Sequence, residues 1–181
     1  MKKPAIFADR DGTLIEEVNF LSRVEDLRVY DFTARAITDL KAAGYLVLVV
    51  TNQSGIARSI FNEAAMHAIH AEMQAQLGGA IDAFYFCPHL PTDGCRCRKP
   101  APGMIETASR DFDLDLARSW VIGDKKIDVE TALEVGIASA LVLTGYGHQH
   151  QPMLEEQPTM VAADFGEAVR RILESHYRDR I

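Results

Sequence analysis

Tyr45 to Val50 is an unbroken apolar run. A strand with one wet face alternates polar and apolar residues, so a run without polar members belongs in a sheet covered on both faces. Pro4 to Ala8 reads the same way. Ile81 to Phe86, Trp120 to Ile122 and Ala138 to Leu143 are further strand candidates, with Thr159 to Ala163 as a final edge strand. Helical segments fall between them. Thr33 to Ala43 has helical periodicity and stops at Gly44. Asn62 caps a helix through Leu77 that ends at Gly78-Gly79. Pro102 to Asp111, Asp128 to Val135 (closed by Gly136) and Gly166 to His176 complete the set. This alternation predicts an α/β fold, a parallel sheet with helices on both faces.

The chain has 181 residues, enough for a single domain with a full core. No linker, repeat or low-complexity tract divides it. Hydrophobic residues make up 48% and charged residues 25%, a soluble composition. No apolar run approaches the roughly 20 residues that span a bilayer, and the N-terminus lacks a signal-peptide pattern. A cytoplasmic, monomeric protein with neither membrane nor nucleic-acid partner is expected. The net charge of −7 argues in the same direction, because nucleic-acid binders carry a basic face.

Four polar pieces each follow a predicted strand: Asp9-Arg10-Asp11-Gly12-Thr13, Thr51-Asn52-Gln53-Ser54-Gly55, Arg98-Lys99-Pro100 and Gly123-Asp124-Lys125-Lys126-Ile127-Asp128. Open α/β sheets bind ligands at those strand ends. Singly, each piece reads as a turn, a helix cap or a solvated lysine. Together they form a kit for phosphoryl transfer: a carboxylate nucleophile, a second carboxylate for proton transfer, a hydroxyl and a lysine for phosphate oxygens, and acids for a metal. Carboxylates repel phosphate, so their presence makes sense only if a cation reverses the local charge.

These motifs resemble the haloacid dehalogenase superfamily of phosphohydrolases. The resemblance implies a Rossmann-like sheet and a phosphoaspartate formed on Asp9. Asp11 would protonate the leaving oxygen and then deprotonate water. Thr51 and Lys99 would hold the transferring oxygens. Mg2+ would be bound by Asp9, the Asp11 backbone carbonyl and Asp124. Lys125 and Asp128 would lie behind these groups, with Asp128 orienting Lys99 or a metal-bound water.

Cys87-Pro88-His89 is followed, after a five-residue gap, by Cys95-Arg96-Cys97, and the chain has no other cysteine. Three thiolates and one imidazole suit tetrahedral structural Zn2+. Such a site would leave no position for water and would shape residues 87–101. Of the remaining histidines, His67, His70, His148, His150 and His176 are expected to face solvent, wholly or in part.

The zinc loop narrows the resemblance to two groups, the D-glycero-D-manno-heptose-1,7-bisphosphate 7-phosphatases and the histidinol-phosphate phosphatases. Thr51-Asn52-Gln53-Ser54-Gly55-Ile56-Ala57-Arg58, Arg98-Lys99-Pro100-Ala101-Pro102-Gly103-Met104 and Gly123-Asp124-Lys125 favour the first. Val29-Tyr30-Asp31-Phe32 departs from it by lacking Pro-Gly before the first helix, the zinc loop is of the shorter kind, and Lys126-Ile127 differs from the usual residues. By this resemblance Glu17, Val18, Asn19, Phe20, Asn52, Gln53 and Ser54 contact a small sugar phosphate, and Arg98 takes its second phosphate. The implied setting is the making of nucleotide-activated heptose for cell-surface polysaccharide. No segment is long enough for a large cap domain.

Overall fold

The computed structural model describes residues 2–178, with side chains as far as Ser175. The side chain of His176, expected in solvent, lies outside the described part. Twelve elements alternate along the chain: β1 (Ala5–Ala8), α1 (Thr33–Ala42), β2 (Leu46–Asn52), α2 (Glu63–Gln76), β3 (Ala83–Cys87), α3 (Gly103–Asp111), β4 (Trp120–Gly123), α4 (Lys126–Val135), β5 (Ala138–Val142), a short α5 (Gly147–His150), β6 (Met160–Ala162) and α6 (Phe165–Arg178). The strands form one parallel sheet in the order β3-β2-β1-β4-β5-β6. That is the doubly wound order, with its switch point beside β1.

Strand alternation divides the core. Phe7, Leu48 and Val50 face Met104, Ile105 and Ala108 of α3 and Ala132 of α4. Ile6, Ala8, Val47 and Val49 face the other way, toward Ile37 and Leu40 of α1, Ile69 and Met73 of α2, and Val169 and Ile172 of α6. Full burial of one such large side chain stabilises by about 1.5–3 kcal/mol. Ala8 lies opposite Val49 on one side and Ile122 on the other. This register sets the end of β1 beside Val49 of β2 and Ile122 of β4, both near the carboxyl ends of their strands, which is how distant acids come to share a site. Among the described residues, no helix is long and apolar enough to cross a membrane.

Predicted elements and structure agree in type and order, with shifts at the ends. β3 starts two residues later than predicted, and α4 starts two residues earlier, at Lys126. The early start comes from two caps: Asp128 Oδ2 accepts the Lys125 N–H at 3.0 Å, and His150 Nδ1 accepts the Lys126 N–H at 3.2 Å. His150 is therefore a partly buried cap and not a solvated side chain. The short α5 that presents it had no signal in the polar sequence around it.

His70 is the larger correction. It was expected on a partly exposed face, but only 5% of it is exposed. Met66, Ile69, His70 and Met73 share the buried face of α2, so the helical period places His70 in the core. Its ring stacks on Phe84 at 4.4 Å. Burial, and then the charge of Arg10, push its pKa down to about 3. An unfolded histidine titrates near 6.5. The unfolded chain therefore binds the extra proton first, and the stabilisation is complete above about pH 6.5 and lost as pH falls toward 3. Between pH 7.5 and 4.5 the native chain should lose about 2 kcal/mol more stability than His70→Gln, read from urea melts at each pH. Parallel losses in the two proteins would show that His70 is not titrating from a buried neutral state.

Candidate active site

Asp9 leaves β1 straight into a cavity of about 180 Å³. Asp11, Glu17, Asn19, Phe20, Thr51, Asn52, Gln53, Ser54, Lys99 and Lys125 also line it. Most of the residues singled out in the sequence thus meet in one place. Asp124 and Asp128 are buried close to Asp9, beneath this lining. Single ligand atoms from Asp9, Asp124 and Asp128 all lie within 4.8 Å of one another.

Lys99 organises these acids. Its Nζ donates to Asp9 Oδ1 at 2.9 Å, Asp128 Oδ1 at 2.6 Å and the Val50 carbonyl at 2.8 Å, which uses all three protons. Asn52 grips its backbone, with Oδ1 accepting the Lys99 N–H and Nδ2 donating to the Lys99 carbonyl. Burial favours neutral forms here, but the ion pairs outweigh it. Lys99 is held above its ordinary pKa by Asp128 and Asp9, and Asp9 below its own by Lys99 and Lys125.

Asp124 behaves differently. Burial, reinforced by the negative charge of Asp9, pushes its pKa up to about 8, although Lys125 opposes the shift. Its Oδ2 accepts the Tyr146 N–H at 2.8 Å, while Oδ1 is buried without a hydrogen bond. The Lys125 Nζ stands 3.8 Å from that atom. Both Asp128 oxygens, by contrast, are taken, by Lys99 and by the Lys125 N–H. An orphaned oxygen and a carboxyl pushed toward its neutral form are what a cation would relieve. The donors of Asp9 and Asp124 are all oxygen, which fits Mg2+.

Asp11 is held from behind. The Arg10 guanidinium grips it with two bonds, Nε to Oδ2 at 2.9 Å and Nη2 to Oδ1 at 3.0 Å. Gln53 Nε2 donates to Asp11 Oδ2 and to Thr51 Oγ1, and its Oε1 accepts from Arg10. Asn52 and Gln53, expected to touch substrate, thus spend their amides on Lys99, Asp11 and Thr51. Gly12 has a φ of +80°, and a Cβ there would come within 2.3 Å of Asp124 Oδ2. The turn just after Asp11 therefore has no room for a side chain at Gly12.

Two predicted contacts fall outside the cavity. Val18 is exposed and lines a separate depression with Asp26 and Arg28. Arg98 donates Nη1 to the His89 carbonyl and faces a neighbouring cavity with Leu90 and Pro100. Arg10 and Tyr146, by contrast, line the main cavity although the sequence did not single them out. Tyr146 had a signal: it follows β5, as the other pieces follow their strands. Its ring lies 5.0 Å from the Lys125 Nζ.

Cys87, His89, Cys95 and Cys97 converge. The Sγ atoms are 3.2 to 3.6 Å apart, and His89 Nδ1 lies 3.2 Å from Cys97 Sγ and 3.5 Å from Cys87 Sγ. Tetrahedral Zn–S bonds of about 2.3 Å would put sulfurs about 3.8 Å apart, close to this spacing. Burial pushes the Cys87 thiol up to about 12, while Cys95 falls to about 7 because hydrogen bonds from Cys97 and Cys87 outweigh its desolvation. Such crowded thiols ionise together only around a cation.

The HAD-hydrolase-like family model matches residues 96–168. The D-glycero-D-manno-heptose-1,7-bisphosphate 7-phosphatase of Thermosynechococcus vestitus is 38% identical over 193 residues, covering 95% of this chain and 96% of the relative. This chain belongs to that phosphatase family. It is thus a member of the phosphoric monoester hydrolases with a HAD-like fold. The D-glycero-beta-D-manno-heptose-1,7-bisphosphate 7-phosphatase of Bordetella bronchiseptica is 40% identical over 148 residues, covering 80% of this chain and 83% of its own. The crystal structure of the D,D-heptose 1,7-bisphosphate phosphatase from B. bronchiseptica, complexed with magnesium and phosphate, superposes with a TM-score of 0.88 at 36% identity, covering 95% of this chain and 99% of that one.

Stripping metal from the Cys/His cluster with a strong chelator should open residues 87–101 to protease and lower turnover at least tenfold through Lys99. Limited proteolysis with a parallel phosphate-release assay reads both. An unchanged digest with full turnover in metal-free protein would show that the cluster does not shape the loop.

Proposed function

We propose that this protein removes the 7-phosphate of D-glycero-D-manno-heptose 1,7-bisphosphate through a phosphoaspartate on Asp9. The reading rests on one observation. Asp9, Lys99, Asp124 and Asp128 meet beneath a cavity edged by Asp11 and Thr51, in a chain related along its whole length to named heptose bisphosphate phosphatases. Asp9 attacks phosphorus as a carboxylate, the form its lysine neighbours favour. The P–O bond to the sugar breaks, and Asp11 gives its proton to the departing alkoxide. Asp11 then takes a proton from water, whose oxygen attacks the phosphoaspartate and releases inorganic phosphate and free Asp9. The Thr51 hydroxyl would donate to a transferring oxygen, and Lys99, whose three protons are already placed, would steady the charge through its field.

Asp9, Asp124 and the Asp11 carbonyl would hold Mg2+, which when bound neutralises charge on the phosphoryl oxygens. Asp128 acts through Lys99, since both its oxygens are already bonded. Zn2+ is the cation we assign to the Cys/His cluster, in a structural role. Glu17, Asn19, Phe20 and Ser54 rim the cavity and would meet the sugar. Arg98 faces the neighbouring cavity with Nη1 on the His89 carbonyl, and its other N–H donors are the ones it would offer a second phosphate. The setting we propose is cytoplasmic synthesis of nucleotide-activated heptose, by a single-domain enzyme.

Phosphate release should be measured with Mg2+ on a panel containing heptose bisphosphate, other sugar phosphates and histidinol phosphate. The heptose bisphosphate is expected to have the highest kcat/KM. Asp9→Asn should lose at least about 10³-fold, because the nucleophile is gone. A preference for histidinol phosphate would overturn the substrate, and substantial turnover by Asp9→Asn would overturn the covalent route.

A further inference from the structure

The reaction above uses Asp11 as both acid and base but says nothing of what aims it. Arg10, between the two catalytic acids, borders the cavity yet is only 1% exposed. Its donors are almost fully assigned: Nε and Nη2 to Asp11, Nη2 also to Gln53 Oε1 at 3.2 Å, and Nη1 to His70 Nε2 at 3.2 Å. His70 reaches this point from α2, in a different part of the chain, and its ring is fixed against Phe84 and, edge-on, against His67. We propose that His70 is a positioning residue for Asp11, acting through Arg10. A buried guanidinium adopts the one orientation in which its protons are accepted. Without an acceptor at His70 Nε2, Nη1 is left unpaired in the core, and the guanidinium must turn to regain a partner. That turn takes the two-bond grip on Asp11 with it. Burial of His70 keeps its ring neutral, so that Nε2 accepts and does not confront the guanidinium as a second cation.

The inference rests on the reading of Asp11 as general acid, and leaving-group chemistry can test the two separately. A sugar alkoxide needs a proton to depart, whereas p-nitrophenolate does not. The value of kcat/KM reports steps up to that departure. His70→Asn keeps a polar side chain but places its oxygen too short to meet Arg10. It should lose about tenfold in kcat/KM on a sugar phosphate and less than threefold on p-nitrophenyl phosphate. His70→Gln places its oxygen near the position of Nε2 and should recover most of the loss. His70→Leu, where it folds, should match His70→Asn. Equal losses on both esters, or His70→Asn and His70→Gln behaving alike, would overturn the proposal. Asp11→Asn is the control: if it shows no leaving-group selectivity, the acid role of Asp11 fails, and if it alone shows selectivity, only the role of His70 fails.

Discussion

One buried ammonium joins the parts of this site. Lys99 sits 3% exposed with every Nζ proton committed. A cation in that position costs several kcal/mol unless it is paired. Asp9 from the end of β1 and Asp128 from the first turn of α4 supply the pairing, and the Val50 carbonyl of β2 completes it. The same Asp128 caps α4 through the Lys125 N–H. Catalytic geometry and fold are therefore one problem here: the charge that would steady a phosphoryl group also ties three elements together.

The three buried acids around that lysine look alike in sequence but differ in what remains to them. Asp128 has no unbonded oxygen. Asp9 is driven toward its charged form. Asp124 keeps one oxygen without a hydrogen bond, in surroundings that favour protonation. Counting Asp11 and Glu17, five carboxylates gather around Lys99, Lys125 and Arg10. Positive charge is in deficit even before a phosphate arrives. A divalent cation held by Asp9 and Asp124 would correct both the deficit and the orphaned oxygen, and would let a site lined with acids bind an anion.

Much of this was legible in the residue order, for a physical reason. Parallel strands put their carboxyl ends at one edge of the sheet, so polar motifs that each follow an apolar run converge there. Asp9, Thr51 and Asp124 needed no tertiary information beyond that. The convergence of Cys87, His89, Cys95 and Cys97 was legible because three cysteines and a histidine within eleven residues have few alternatives. What stayed hidden were contacts from surfaces that no strand end reports. Arg10 is held by Asp11, Gln53 and His70, and two of those three partners come from other parts of the chain. His70 carried a readable signal in its spacing from Met66 and Met73, but a polar residue in that pattern looks like surface. His150 caps α4 from a short helix with no periodicity of its own. Asn52 and Gln53 were placed correctly, yet their amides serve the catalytic groups beside them, because a buried amide takes its nearest partners.

The segment before α1 shows how an irregular stretch is given a shape without a core of its own. Asn19 and Phe20 have φ values of 51° and 65°, a left-handed conformation costing roughly 1–2 kcal/mol for each non-glycine residue. Glu17 offsets that cost at both ends of its carboxylate. Oε1 accepts the Asn19 N–H at 2.8 Å, and Oε2 pairs with the Lys125 Nζ at 3.2 Å. Lys125 in turn follows Asp124 and lies beside Tyr146. The cavity rim is thus tied by charge to the buried acids beneath it, from the loop after β1 to those after β4 and β5.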